Sequence, residues 1–432
     1  MNLTEVYNND SFVKFLNNTL PGFKKDLLNV SQASGNYKSI ENIKFLGRSE
    51  TLDVSIFEVE HSSSNESKIK LATDGFKLMK MHGFSNSLIV YKSTISDNWR
   101  LSLLTSTPGF KEGKRNFREI SNPRRFSYLL GPGAKIQTPT KFLINQGSVK
   151  DFEDLKSRFA LEVVNKEFYR SISDMFKKLT NNDSYLKIKL PKIIQNDKDI
   201  KRFAVKLIGR ILFCWFLKEK KNDKNIGLIP EDLLSLNTIN KYSNFYNDIL
   251  EPLFFEILNQ PTRDRTKEYT EEKFGDIPYL NGGLFNPINN DYYQIENNEK
   301  VQINNKWFEE FFSILNTYNF TLDENSDFNQ ELSIDPEMLG RIFENLLAEE
   351  INEETQSEAR KNTGTFYTPR QIVDFMVDES LINLINKKTN INIKKINKLI
   401  DYSNTEDIND YLTVKEIQKI IQHIDGLRIL DP

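Results

Sequence analysis

Two glutamates, Glu58 and Glu60, stand two residues apart in the run Val54–Glu60, which reads as a strand. Alternate residues of a strand face the same side. The two carboxylates therefore lie about 7 Å apart on one face, a spacing that can share a divalent cation. Magnesium-dependent hydrolysis requires two or three converging carboxylates with a basic group nearby. Asp53 is five residues from Glu58, about 16 Å along an extended strand and of opposite parity. It can join the pair only through a bulge or bend. His61, beside Glu60, has no second histidine near it in sequence. As a metal ligand or base it would act alone, and it reads as a surface residue.

A second constellation precedes a helix. Gly364, Phe366 and Tyr367 lead into Thr368-Pro369-Arg370-Gln371, which fits a capping box: Thr at the N-cap, Pro at the first helical position, Gln at the third. Unpaired N–H groups at such a helix start can hold a carboxylate or phosphate. The neighbouring aromatic faces can pack on a base or an alkyl-sulfonium group. An ordinary capped helix with a buried Phe accounts for the same residues. A third group is basic: Lys111, Lys114, Arg115, Arg118, Arg124 and Arg125, interleaved with Phe117 and Phe126. That composition suits phosphate contacts plus stacking, and suits a solvated loop equally. Cys214, in an apolar run, reads as core, because no cation flanks it closely enough to favour a thiolate.

These groups must be carried by a chain of 432 residues, long enough for two to four domains. Lys+Arg 58 against Asp+Glu 61 gives −3, so any nucleic-acid binding must come from a local patch. Hydrophobic content of 38% with 12% aromatics excludes a disordered chain. One cysteine excludes an intramolecular disulfide framework, and with three scattered histidines it cannot supply a standard zinc site. No export or membrane signal is read, and Phe203–Leu217 is interrupted by Lys206 and Arg210, so it is expected to be a buried helix. A soluble, cytoplasmic protein with no membrane partner is expected.

Residues 1–149 read as an α/β domain. A helix near Phe12–Leu16 is followed by strands at Ile43–Gly47 and Val54–Glu60, paired as a hairpin, then a helix over Lys68–Met81 and strands at Ser87–Lys92 and Trp99–Thr105. Residues 110–150 read as irregular. Residues 150–350 switch to helical period, with Phe168, Ile172, Met175 and Phe176 on one face, and Leu339, Ile342, Phe343, Leu346 and Leu347 on another. The latter helix begins at Asp335-Pro336, a good N-cap followed by a good first residue. Glu349–Lys361 reads as a loop or linker. Residues 351–432 form the third segment, with a helix carrying Ile372, Val373, Met376 and Leu381, and a final run Leu427–Pro432 that reads as a strand arriving at an acidic tip.

Thr363–Val373 resembles the segment that opens the catalytic domain of DNA adenine-N6 methyltransferases in the fused type IIG restriction–modification class. The ending Ile429-Leu430-Asp431-Pro432 is similar to the start of that family's Asp-Pro-Ala-Cys-Gly-Ser-Gly cofactor loop. Asp335–Gly340, Phe343–Leu347, Tyr279–Phe285 and Asn165–Tyr169 resemble the family in the same order, so the likeness runs over roughly residues 150–432. It implies a helical connector and an incomplete, Rossmann-like methyltransferase start. Phe366, Tyr367, Thr368, Pro369 and Asp431 would then line an S-adenosylmethionine site, with Tyr367 and Asp431 as opposite walls of one pocket. The family's glycine turn, ribose-binding acidic residue and Asn-Pro-Pro-Tyr motif have no counterpart in these 432 residues, so the chain alone is expected not to methylate DNA.

In the first domain, the resemblance implies a metal-dependent nuclease of the PD-(D/E)xK type, whose element order is similar. Glu58, Glu60 and Asp53 would be its catalytic residues, with Glu58 and Glu60 binding Mg2+; Glu60 stands where that pattern usually has Lys. The expected partner is double-stranded DNA, with a separately encoded C-terminal half as a further expected partner. The alternatives are a non-enzymatic DNA-binding remnant or accessory fragment of a phage-defence system, and a methyltransferase-only member whose first domain merely supports DNA binding.

Overall fold

The computed structural model describes residues 1–26, 37, 39–62, 68–109, 119–191, 197–219, 227–265, 274–280, 283–293, 299–321, 329–351, 370–401 and 408–428. Apolar alternation builds a seven-stranded sheet in chain order. Its strands are β1 (Phe23–Lys24), β2 (Ile40–Ser49), β3 (Val54–His61), β4 (Asn86–Ser93), β5 (Trp99–Gly109), β6 (Glu119–Leu130) and β7 (Asn329–Glu331). β2 and β3 make the expected antiparallel hairpin, β3 and β4 run parallel, β4–β5–β6 are antiparallel, and β6 and β7 are parallel.

Helices α1 (Asn9–Thr19) and α2 (Lys68–Met81) cover opposite faces. Ile56, Leu88 and Val90 share a core with Phe12 and Leu16 of α1. Their chain neighbours Phe57, Ile89 and Tyr91 pack with Leu71, Phe76 and Leu78 of α2. This is the two-residue period of a sheet buried on both sides. α2 lies close to the sheet because Gly75 has no side chain: a Cβ there would come within 2.2 Å of Tyr91 Oη.

The sequence reading of residues 110–150 as irregular is corrected over Glu119–Leu130, which is a twelve-residue strand. Its charged residues hid it. Arg125 is buried at 1% exposure, donates to Ser102 Oγ at 3.2 Å and Ser127 Oγ at 3.3 Å, and stacks over the Tyr91 ring.

The helical region follows as α3 (Phe152–Arg158), α4 (Leu161–Thr180), α5 (Asp197–Glu219), α6 (Asn305–Leu315) and α7 (Pro336–Ile351). Phe168, Ile172, Met175 and Phe176 are buried on α4 as expected, and Trp307 of α6 donates from Nε1 to Met175 O at 2.9 Å. Asp335 caps α7, accepting from Met338 N at 3.0 Å. α5 is buried on most of its surface, so the Phe203–Leu217 reading holds. Its Arg210 grips the fully buried Asp291 with two bonds of 2.9 and 3.0 Å. One apolar core runs from Leu3 to Leu346, and β7, from the helical region, pairs with β6. The change at residue 149 is thus one of element type, with no break in the packing.

α8 (Arg370–Thr389), α9 (Ile393–Ile400) and α10 (Val414–Asp425) enclose a separate small core of Ile385, Ile391, Ile396, Leu412 and Ile420. α8 carries Ile372, Val373 and Met376 as expected, and all three are exposed. Among the described residues, no helix is long and apolar enough to cross a membrane.

Candidate functional site

β3 carries the acidic pair. Val54 and Ile56 point into the core beneath α1, so by parity Glu58 and Glu60 occupy the same face farther along the strand, where both are half-buried. The parallel neighbour β4 ends beside them, with Lys92 in register with Glu60. Lys92 Nζ lies 3.2 Å from Glu60 Oε1. On the other side, β2 places the exposed Lys44 opposite Glu58 and the exposed Asn42 opposite Glu60. The segment entering α1 closes over Glu58. Tyr7 Oη and Asn9 Nδ2 both donate to Glu58 Oε2, at 2.9 and 2.5 Å. The Tyr7 ring rests on Trp99 and Phe12. Burial, and then the Glu58 charge, push its phenol far above the ordinary value, so it stays a donor.

Asp53 does not join this group, which corrects the expectation for it. It sits in the β2–β3 turn at the other end of β3, with φ +52°, exposed and paired with Arg48. The bulge it would need is missing from β3, whose register with β4 is continuous from Ser55 to His61; the irregularities of this hairpin lie on β2. His61 is also corrected: it is buried at 2% exposure, on the face opposite Glu60. Cys214 is buried core, and burial raises its thiol pKa well above the usual range.

The donor chemistry fits a hard divalent cation in its sparsest form. Mg2+ is commonly held by one or two carboxylates and keeps several waters. Glu58 and Glu60 supply two carboxylates on one face, and no group of three or more possible ligands occurs among the described residues. Lys92, Tyr7 and Asn9 escaped sequence reasoning. The parallel register of β4 on β3 could have signalled Lys92, since both strands end in polar residues there; nothing local marked Tyr7 or Asn9.

The basic stretch divides. Arg124 is exposed on β6, whereas Arg125 belongs to the core and does not reach a phosphate at the surface, a correction to its expected role. Lys111, Lys114, Arg115 and Arg118 lie outside the described residues, as do Phe366, Tyr367, Thr368, Pro369 and Asp431.

Residues 162–334 match a family model described as a domain of unknown function (DUF7814). Over 256 residues the chain is 32% identical to a protein of Methanocaldococcus jannaschii named as a type II restriction enzyme and methyltransferase; the match covers 55% of this chain and 20% of that protein. The chain thus spans about a fifth of the length of the curated relative it matches. No solved structure matches.

Proposed function

We propose that this chain supplies the nuclease and connector portion of a type IIG restriction–modification enzyme. The complete enzyme would cut double-stranded DNA with Mg2+ and methylate adenine N6 with S-adenosylmethionine. Similarity to a protein named as a restriction enzyme and methyltransferase supports the enzyme class.

The observation that carries the nuclease reading is the half-buried pair Glu58 and Glu60 beside Lys92, at the shared end of two parallel strands under α1. Glu58 and Glu60 would hold Mg2+, which when bound supplies positive charge at a phosphate. Lys92 holds a further positive charge next to Glu60 and can donate a hydrogen bond to a phosphate oxygen or a leaving oxygen. It thereby takes the part of the cation that the Glu-Val-Glu sequence lacks. Arg124 stands on an exposed position of the same sheet and suits contact with the DNA backbone. S-adenosylmethionine is assigned to Phe366, Tyr367, Thr368, Pro369 and Asp431 from their likeness in sequence.

The test is incubation of plasmid DNA with the purified chain in Mg2+ and in EDTA. Cleavage that requires Mg2+ is expected. Cleavage undiminished by EDTA, or no cleavage in Mg2+, would reject the nuclease reading.

A further inference from the structure

A half-buried carboxylate near the end of a strand ordinarily turns freely about its last two bonds, and a cation that binds it must stop that motion. Glu58 is already held. Tyr7 and Asn9 come from the turn before α1 and from its first residue, about fifty positions away in sequence, and both donate to the same oxygen, Oε2. Among the described residues, Oε1 has no hydrogen-bond partner. The donors are themselves fixed. The Tyr7 ring lies 5.3 Å from Trp99 and 5.7 Å from Phe12, and Trp99 Nε1 donates to Glu5 O at 3.1 Å, which ties down the same segment. Asn8 caps α1 by accepting from Ser11 N, which fixes the backbone between them.

We infer that Tyr7 and Asn9 are positioning residues: they saturate one oxygen of Glu58 and turn the other toward the space shared with Glu60, where a divalent cation would sit. They have this role only if Glu58 holds a cation, as proposed above. Neutral donors suit the task, because they orient the carboxylate without cancelling its charge. A lysine in place of either would compete with the metal. Groups that orient a metal ligand in this way typically set affinity by 10- to 100-fold.

The experiment uses the full chain and Mn2+ as probe, read by loss of the free-ion electron paramagnetic resonance signal, with thermal melting in the absence of metal as a second readout. Tyr7→Phe keeps the ring and removes only the hydroxyl; Asn9→Leu keeps the bulk and removes the donor; Glu58→Gln removes the ligand charge. Uptake of Mn2+ by the wild type, its loss in Glu58→Gln, and affinity about tenfold weaker in Tyr7→Phe and in Asn9→Leu, with metal-free melting of Tyr7→Phe unchanged, are expected. Wild-type affinity in both positioning variants, with Glu58→Gln still deficient, overturns the positioning role and leaves the cation site standing. Mn2+ uptake that is absent in the wild type, or indifferent to Glu58→Gln, overturns the cation site and this role with it.

Discussion

Lys92 and Glu60 face each other across the parallel pair β3–β4, with Nζ 3.2 Å from Oε1. Their side chains are 42% and 32% exposed, so the ion pair adds little to stability. On the nuclease reading proposed above, its value lies in setting a cation beside Glu60. Lys92→Met is expected to lower Mg2+-dependent cleavage by about 10²-fold while leaving the melting temperature unchanged, and Lys92→Arg is expected to restore part of the rate. Turnover at saturating DNA, measured beside thermal melting, checks this.

Arg124 and Arg125 are adjacent in sequence and opposite in role. Charge reversal at the exposed Arg124 is expected to weaken DNA binding and to reduce the slope of log affinity against log salt by about one. Arg125→Glu places an acid among Ser102, Ser127 and Tyr91 in the core and is expected to unfold the sheet. Binding titrations at several salt concentrations, with circular dichroism of both variants, separate the two effects.

In the helical region, Asp291 is fully buried and depends on Arg210. Burial alone would raise its carboxyl pKa, but the two bonds and charge of Arg210 outweigh this and hold it low. Arg210→Ala removes the bidentate partner and leaves the buried carboxylate with Lys206 at 3.5 Å and the Ile288 N–H at 2.9 Å; it is expected to cost about 3 kcal/mol of stability, read by denaturant unfolding.

Glu251 behaves in the opposite sense. Burial pushes its carboxyl from 4.5 up to about 7, with Lys300 opposing the rise. A raised carboxyl binds its proton more tightly in the folded chain, so its contribution to stability is full below pH 4.5 and is lost as pH rises through about 7. Glu251→Gln is expected to flatten the fall in melting temperature across that window. A fall of the same size in wild type and variant would assign it to other groups.

Much of the sheet was legible because its signals were local. The polar turn between two apolar runs gave the β2–β3 hairpin, and the apolar spacing of α2 gave its full range, Lys68–Met81. β6 was hidden because Pro123, Arg124 and Arg125 break its apolar alternation, and Arg125 becomes a core residue only through hydroxyls and a ring on three other positions of the folded sheet. β7 is three residues long and pairs with a strand about 200 positions earlier, which no local pattern encodes. Within the site, Glu58 and Glu60 were readable from strand parity. Asp53 was misplaced because a turn with positive φ fixes it at the far end of β3. Lys92 needed the register of β4, and Tyr7 and Asn9 needed the docking of α1.

The nuclease reading is tested most directly by Mg2+-dependent cleavage of plasmid DNA by three variants of the full chain, Glu58→Ala, Glu60→Ala and Asp53→Ala, measured side by side with the wild type. Cleavage lost in the first two and kept in the third is expected. Cleavage that survives in both glutamate variants, or that vanishes only in Asp53→Ala, would contradict it.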